Sequence, residues 1–269
     1  MKQVVLFLIL VFGITWSLGF WMAAQPVPTS LSGFLVAFLP QVWAPTVISL
    51  LLVGASDGAR GIRAEVGERL NYRRGSTPWL ALAALTPAVA TASAVAAARF
   101  AGDGAAFTPS QAIPVAIGMQ LITGAVGEEF GWRGFLLPRL RKHYGPVAAA
   151  WVMGSLWSVW HVPAWFVPWL PHRTFPLAST LIMTACFGVF MAFVFYRAGE
   201  SIVATILAHL SLNIMTAMGG VLLSSVVFWT TLATIFSVAA ILASIAMSRS
   251  ARVTVTVEHG QTTPSRPLG

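Results

Sequence analysis

Charge is scarce in this chain. Of 269 residues, only 8 are Asp or Glu and 16 are Lys or Arg, so 9% are charged, where a soluble domain carries about 25%. Mean hydropathy is +0.79, and runs of roughly 18 or more mostly apolar residues recur along the whole sequence, the signature of transmembrane helices. No stretch between those runs is long enough to bury a core of its own, which excludes a separate soluble domain. Cysteine is nearly absent as well. The single Cys186 lies in an apolar run, which excludes an internal disulfide and a zinc knuckle and leaves a small packing residue. The sequence also lacks HExxH, GxSxG and G-x-x-x-x-G-K-[ST], so the corresponding metalloprotease, serine-hydrolase and P-loop chemistries have no motif to rest on.

What charge there is has a sign and a pattern. The net charge is +8. In an apolar chain such an excess belongs to short loops that set orientation and meet anionic headgroups, so no nucleic-acid partner is expected. Eight spans are predicted, at 4–24, 33–54, 78–98, 111–138, 146–168, 176–196, 201–219 and 221–247. The N-terminal run is read as the first span rather than a signal peptide, because it is long for an h-region and ends in bulky Trp21 and Met22. Pro40, Pro45 and Pro87 fall inside spans and predict kinks. The fourth span exceeds the minimum and must tilt, bend or protrude. With the N-terminus inside, 13 Lys and Arg fall in inner segments; only Arg99 and Arg173 fall in outer ones. Both termini are therefore expected on the cytoplasmic side.

The expected architecture is an all-α integral membrane protein. Eight transmembrane helices form a single domain over 1–247, followed by a polar, mobile cytoplasmic tail at 248–269. The VTVTV alternation in that tail could also form a short strand. The loop at 55–77 reads as a short amphipathic surface helix. His143, His172 and His259 read as solvated. Trp16, Trp21, Trp165 and Trp169 read as an interfacial belt, and Trp132 and Trp160 adjoin the polar residues discussed next.

An ionisable group at depth costs about 2.5–3.5 kcal/mol on insertion scales, so it needs a partner or a function. The fourth span holds Glu128, Glu129 and Arg133 in GAVGEEFGWRG, the fifth His161, and the seventh His209 and Asn213; Gln41 and Gln120 are lesser cases. Glu129 and Arg133 are four apart, share a helix face and can pair. Glu128 is turned about 100° away, which leaves it without that partner. An unpaired carboxyl at depth is the natural candidate for a general base. At a rise of about 1.5 Å per residue from the cytoplasmic ends, Glu128 lies ~16 Å deep, His161 ~22 Å, His209 ~12 Å and Asn213 ~18 Å. Three helices thus bring their polar residues to one layer.

Two hydrolytic arrangements follow from these residues. Glu128 and His161 could hold and deprotonate a water while His209 and Asn213 donate to an oxyanion. Alternatively, His161, His209 and Glu128 could bind Zn²⁺, which would activate the water. Asn is a poor zinc ligand and a good oxyanion donor, so Asn213 suits a hydrolase better than a structural metal site.

EEFGWR (Glu128 to Arg133) matches EExxxR, WSVWH (Trp157 to His161) resembles FxxxH with Trp for Phe, and HLSLN (His209 to Asn213) matches HxxxN. In this order, over roughly residues 110–217, they resemble the CPBP family of intramembrane proteases. That family includes type II CAAX prenyl endopeptidases, Abi proteins and bacteriocin-processing or immunity proteins. The resemblance implies an eight-helix fold around an intramembrane polar cavity and hydrolysis of a peptide bond in a peptide or membrane-protein substrate. It implies Glu128 as base with His161, His209 and Asn213 at the oxyanion, and Glu129 and Arg133 in support. It leaves open whether metal or glutamate activates the water, and it does not carry a prenylated substrate with it. The expected location is a bacterial inner membrane with the cavity reached from the cytoplasm. A proton- or solute-coupled transporter is the competing reading, since intramembrane Glu and His also mark proton relays. A non-catalytic scaffold or immunity protein is a third.

Overall fold

The computed structural model describes residues 1–71, 75–103, 113–218 and 223–260, with backbone alone at 113 and 251–260. Every regular element among them is helical. Helix α1 (Lys2–Ala23) is apolar all round. It buries Val4, Phe7, Val11, Thr15 and Met22 at helical spacing and turns Val5, Leu6, Ile9 and Phe20 outward. An apolar helix with one buried stripe and an apolar exposed face is what a lipid-facing position demands.

Helix α2 (Leu31–Leu70) is capped by Ser30, whose Oγ accepts from the Gly33 N–H at 3.1 Å. It keeps helical backbone angles at Pro40 and Pro45 and breaks instead at Gly58, with φ +63° and ψ −163°. That conformation suits glycine and reverses the chain, so that Ile62 Cδ1 packs 3.0 Å from where a Cβ on Gly54 would stand. The amphipathic helix expected at 55–77 is thus the returning arm of α2. Its half-buried Ile62, Glu65 and Val66 and buried Arg69 face the protein, and Arg60, Arg63 and Glu68 are exposed. Arg69 pairs with Glu65 at 3.4 Å and with Glu200 at 2.8 Å, and Arg141 reaches Glu200 at 2.6 Å, which ties this arm to the turn at Glu200 and, through it, to the helix that carries Arg141.

Helix α3 (Thr77–Phe100) presents Ala83, Ala90, Ala94 and Ala98 inward, and packs closely on α8 (Ile202–Met218). Small residues allow such approach where no hydrophobic effect drives helices together. Between them in sequence lies the irregular part. Helix α4 (Ile113–Gln120) passes into a π-helical turn (Leu121–Ala125), a single α turn, α5 (Val126–Glu129), a second π-helical turn (Phe130–Leu136) and α6 (Leu137–Trp160). The α6 backbone breaks at Gly145, φ +75°, just before Pro146. After α6 come 3₁₀ turns at Val162–Phe166 and Pro171–Thr174, then α7 (Leu177–Arg197), α8 and α9 (Val226–Gly260).

The fifth helix was expected to reach 168 and instead ends at Trp160. Pro163 has no N–H to continue the ladder, and the chain tightens into a 3₁₀ turn. The VTVTV stretch does not form a strand: α9 continues through Gly260. The end of the tail, 261–269, lies outside the described residues.

Among the described residues, five helices are long and apolar enough to cross a membrane, namely α1, α2, α3, α7 and Val226–Ser250 of α9, and α8 is apolar but shorter. The remaining two predicted spans fall on the stretch divided by π turns and by the Gly145 break, where Arg139, Arg141 and Lys142 add charge. In the core, α7 packs on α6 and α9, and α1 on α2. The α6–α7 crossing is tight. A Cβ on Gly188 would stand 2.7 Å from the Gly154 Cα, and one on Gly154 would stand 2.5 Å from the Ala185 carbonyl oxygen.

Candidate active site

The short α turn between the two π turns carries both glutamates. A π turn inserts a residue and re-aims the side chains that follow, and such turns are frequent at functional sites. The first π turn is anchored by Trp43, whose indole N–H donates to the Ile122 carbonyl at 2.8 Å. The second is pressed against α2, where a Cβ on Gly131 would stand 2.5 Å from the Pro45 carbonyl oxygen. Both glutamates are buried, and they face different surroundings.

Glu129 is sealed. Its Oε1 accepts from Arg133 Nη1 at 2.9 Å and lies 2.9 Å from His209 Nδ1. The i,i+4 pair expected from spacing is therefore present, and a third group shares it. Arg133 is fully buried, with Nη2 3.3 Å from Met191 Sδ and Cζ 4.1 Å from the centroid of the Trp157 ring. The close α6–α7 crossing gives it this room: its Nη2 lies 3.7 Å from where a Cβ on Gly188 would be.

Glu128 lines a cavity of about 340 Å³ together with His161, His209 and Asn213. The structure thus brings these four residues from three stretches of sequence to one wall system, as the depth arithmetic anticipated. Glu128 is not partnerless, contrary to expectation. The Trp157 indole donates to its Oε2 at 2.7 Å. Helix spacing within one element could not reveal a donor 29 positions away.

The protonation pattern of the histidines follows from their partners. His161 is the C-cap of α6, and its backbone N–H bonds the Ser158 carbonyl, so the Trp157 carbonyl is left free at the helix end. His161 Nδ1 lies 2.8 Å from that oxygen. A carbonyl only accepts, so Nδ1 carries the proton and Nε2 of the neutral ring is an acceptor. His209 Nδ1 likewise donates to the Glu129 carboxylate, and its Nε2 lies toward Gly124. A Cβ there would stand 3.9 Å from it and 2.9 Å from Asn213 Nδ2. Glycine at 124 is thus what lets the two polar tips approach the wall opposite them.

Among the described residues no group of three or more His, Cys, Asp or Glu side chains gathers closely enough to hold a metal ion. The His161 and His209 ring centroids lie 5.2 Å and 5.4 Å from that of Trp157, and Glu128 Oε2 accepts from the Trp157 indole.

Sequence reasoning missed part of the lining. His172, read as solvated, lies in the cavity wall, near-parallel to the His161 ring at 6.5 Å between centroids. It packs against Phe175 and Trp165, and burial pushes its imidazole down to about 4. Trp165 and Trp169, read as belt residues, also line the cavity, as do Trp160, Gln41 and Gln120. Trp132 does not: it is fully buried between Phe7, Phe12 and Trp160. A loop histidine has no periodicity to place it, so no local signal could have found His172. Cys186 is buried and 3.5 Å from Ser237, consistent with packing.

A family model described as type II CAAX prenyl endopeptidase Rce1-like matches residues 109–215, the interval that holds all six motif residues. Over that interval, 107 of the 269 residues, the chain resembles the type II CAAX prenyl endopeptidases. Among curated proteins, the chain is similar to the CAAX prenyl protease 2 of Methanococcus maripaludis, 27% identical over 169 residues, covering 60% of this chain and 62% of that protein. The chain thus matches less than two thirds of that relative's length. Against the CPBP motifs, the one departure is Trp157 in place of Phe, and it is that residue whose N–H meets Glu128.

Proposed function

We propose that the chain is an intramembrane endopeptidase that hydrolyses a peptide bond with water activated by Glu128. The observation that carries this reading is the convergence of Glu128, His161, His209 and Asn213 on one cavity. A water between Glu128 and the His161 Nε2 acceptor gives up a proton to the carboxylate as its oxygen attacks the substrate carbonyl carbon. The negative charge that develops on the carbonyl oxygen accepts from Asn213 Nδ2–H and from His209 Nε2–H. His209 donates through Nε2 as the imidazolium, because its Nδ1–H is committed to Glu129. Two carboxylates are then balanced by Arg133 and His209⁺. Glu128 finally passes its proton to the leaving nitrogen, the C–N bond breaks, and a new carboxylic acid and a new amine result, the acid then losing its remaining proton to water.

The membrane arrangement belongs to the same proposal: eight crossings over 1–247, both termini cytoplasmic, and a cavity reached from that side. The substrate is a peptide or membrane-protein segment. The test compares new peptide termini in membranes carrying wild type or Glu128→Gln at matched expression. Termini that appear with wild type alone support hydrolysis. Identical termini, under conditions where the wild type has a phenotype, would turn the reading toward a scaffold or a transporter.

A further inference from the structure

Trp157 contacts Glu128, His161, His209 and Arg133. Its indole N–H donates to Glu128 Oε2 at 2.7 Å. Its carbonyl takes the proton of His161 Nδ1 at 2.8 Å. Its ring lies 5.4 Å from the His209 ring, near perpendicular, and its face carries the Arg133 guanidinium at 4.1 Å. It is 2% exposed, so water does not replace these contacts. The phenylalanine of the family motif could supply the ring and the backbone carbonyl. It could not supply the N–H.

We infer that Trp157 is a positioning residue whose indole N–H holds one oxygen of Glu128, so that the other oxygen faces the cavity as the base. The inference rests on the reading of Glu128 as base, and two features support it. Among the described residues Trp157 is the side chain that hydrogen-bonds Glu128. A carboxylate tethered at one oxygen also loses rotational freedom about its last bond, which orients the remaining lone pairs at no further cost in the reaction. The cation stacked on the indole is itself fixed by Glu129. The ring is therefore held from behind by the sealed ion pair and points its N–H forward into the site.

The experiment replaces Trp157 in the full-length protein, in liposomes, in two ways. Trp157→Phe restores the family residue. Incorporation of β-(3-benzothienyl)alanine at 157 keeps the fused-ring shape and substitutes sulfur for the N–H. The expected result is a fall in kcat of about tenfold or more in both, with KM unchanged, as for loss of one hydrogen bond to a charged group. Full kcat in the sulfur analogue would overturn the inference and leave Trp157 a packing residue. An equal loss in kcat and rise in KM would overturn it too, since substrate binding would then be what changed. A readout without turnover separates this from the proteolysis reading: carbodiimide labelling of Glu128, followed by mass spectrometry across pH. A half-labelling pH that differs between wild type and the sulfur analogue supports the contact even if wild type cleaves nothing. Coincident curves refute it even if wild type cleaves well.

Discussion

Glu128 and Glu129 are adjacent in sequence, and they belong to different regions of the molecule. One is on the wall of an open cavity, held among the described residues by one neutral donor. The other is in a sealed interior, where one oxygen takes both a guanidinium and an imidazole. The comparison teaches that the same side chain, moved by one helical step, meets an open cavity in one place and a closed ion pair in the other. Burial alone does not distinguish them, since both are nearly inaccessible. The identity and number of partners do. A charge whose partners fully balance it is a structural element. A carboxylate with one donor and a cavity in front of it has capacity left for a substrate or a water.

This contrast can be broken from either side. The largest effect is expected at the wall: Glu128→Gln should lower cleavage by about a thousandfold, within the range for loss of a general base, with thermal stability in detergent nearly unchanged. Interior changes should do the reverse. Arg133→Met removes the guanidinium from Glu129 and leaves His209 as its remaining partner, and the cost of breaking a buried pair is about 3–5 kcal/mol. The expected outcome is a large drop in unfolding temperature and in membrane-inserted yield. A stable, inactive Arg133→Met would show that the sealed pair acts directly on the reaction. Asn213→Ala sharpens the comparison on the wall. Loss of one oxyanion donor is expected to reduce kcat about a hundredfold, with a smaller change in KM, as read in single-turnover cleavage.

The smallest expected effect is on pH dependence. His172 is held at about 4 against an ordinary value of 6.5. Its buried ring is neutral in the folded protein, while the unfolded chain takes up a proton below about 6.5. Stability associated with it is therefore fully present above pH 6.5 and is lost as the pH falls toward 4. His172→Phe keeps the aromatic contacts and should flatten that part of the thermal stability profile between pH 6.5 and 4, with little change at pH 7.5. An unaltered slope would assign the acid sensitivity to another group.

Much of the site was legible before any fold was known. Ionisable residues in apolar helices are conspicuous because the bilayer makes them costly, and i,i+4 spacing paired Glu129 with Arg133 correctly. The spacing could not show that His209 shares the same oxygen, because that contact joins residues 80 apart. The end of α6 at Trp160 was written in Pro163, though the hydropathy run continued past it and hid the break. The two π turns had no local signature at all. They lie against α2, where Trp43 donates to the Ile122 carbonyl and Pro45 meets Gly131, contacts that only packing creates.

By itself, the sequence determined that this chain is helical and apolar, which residues are too polar for their surroundings, and which family those residues resemble. These properties follow from composition and from the 3.6-residue period, and both act along the chain. Only the tertiary structure decided that Glu128 faces the cavity with Trp157 as its donor, that Glu129 is closed in with Arg133 and His209 on one oxygen, and that His172, Trp165 and Trp169 line the same space. Those outcomes depend on side chains from distant segments competing for the same few ångströms, and that competition exists only once the helices have packed.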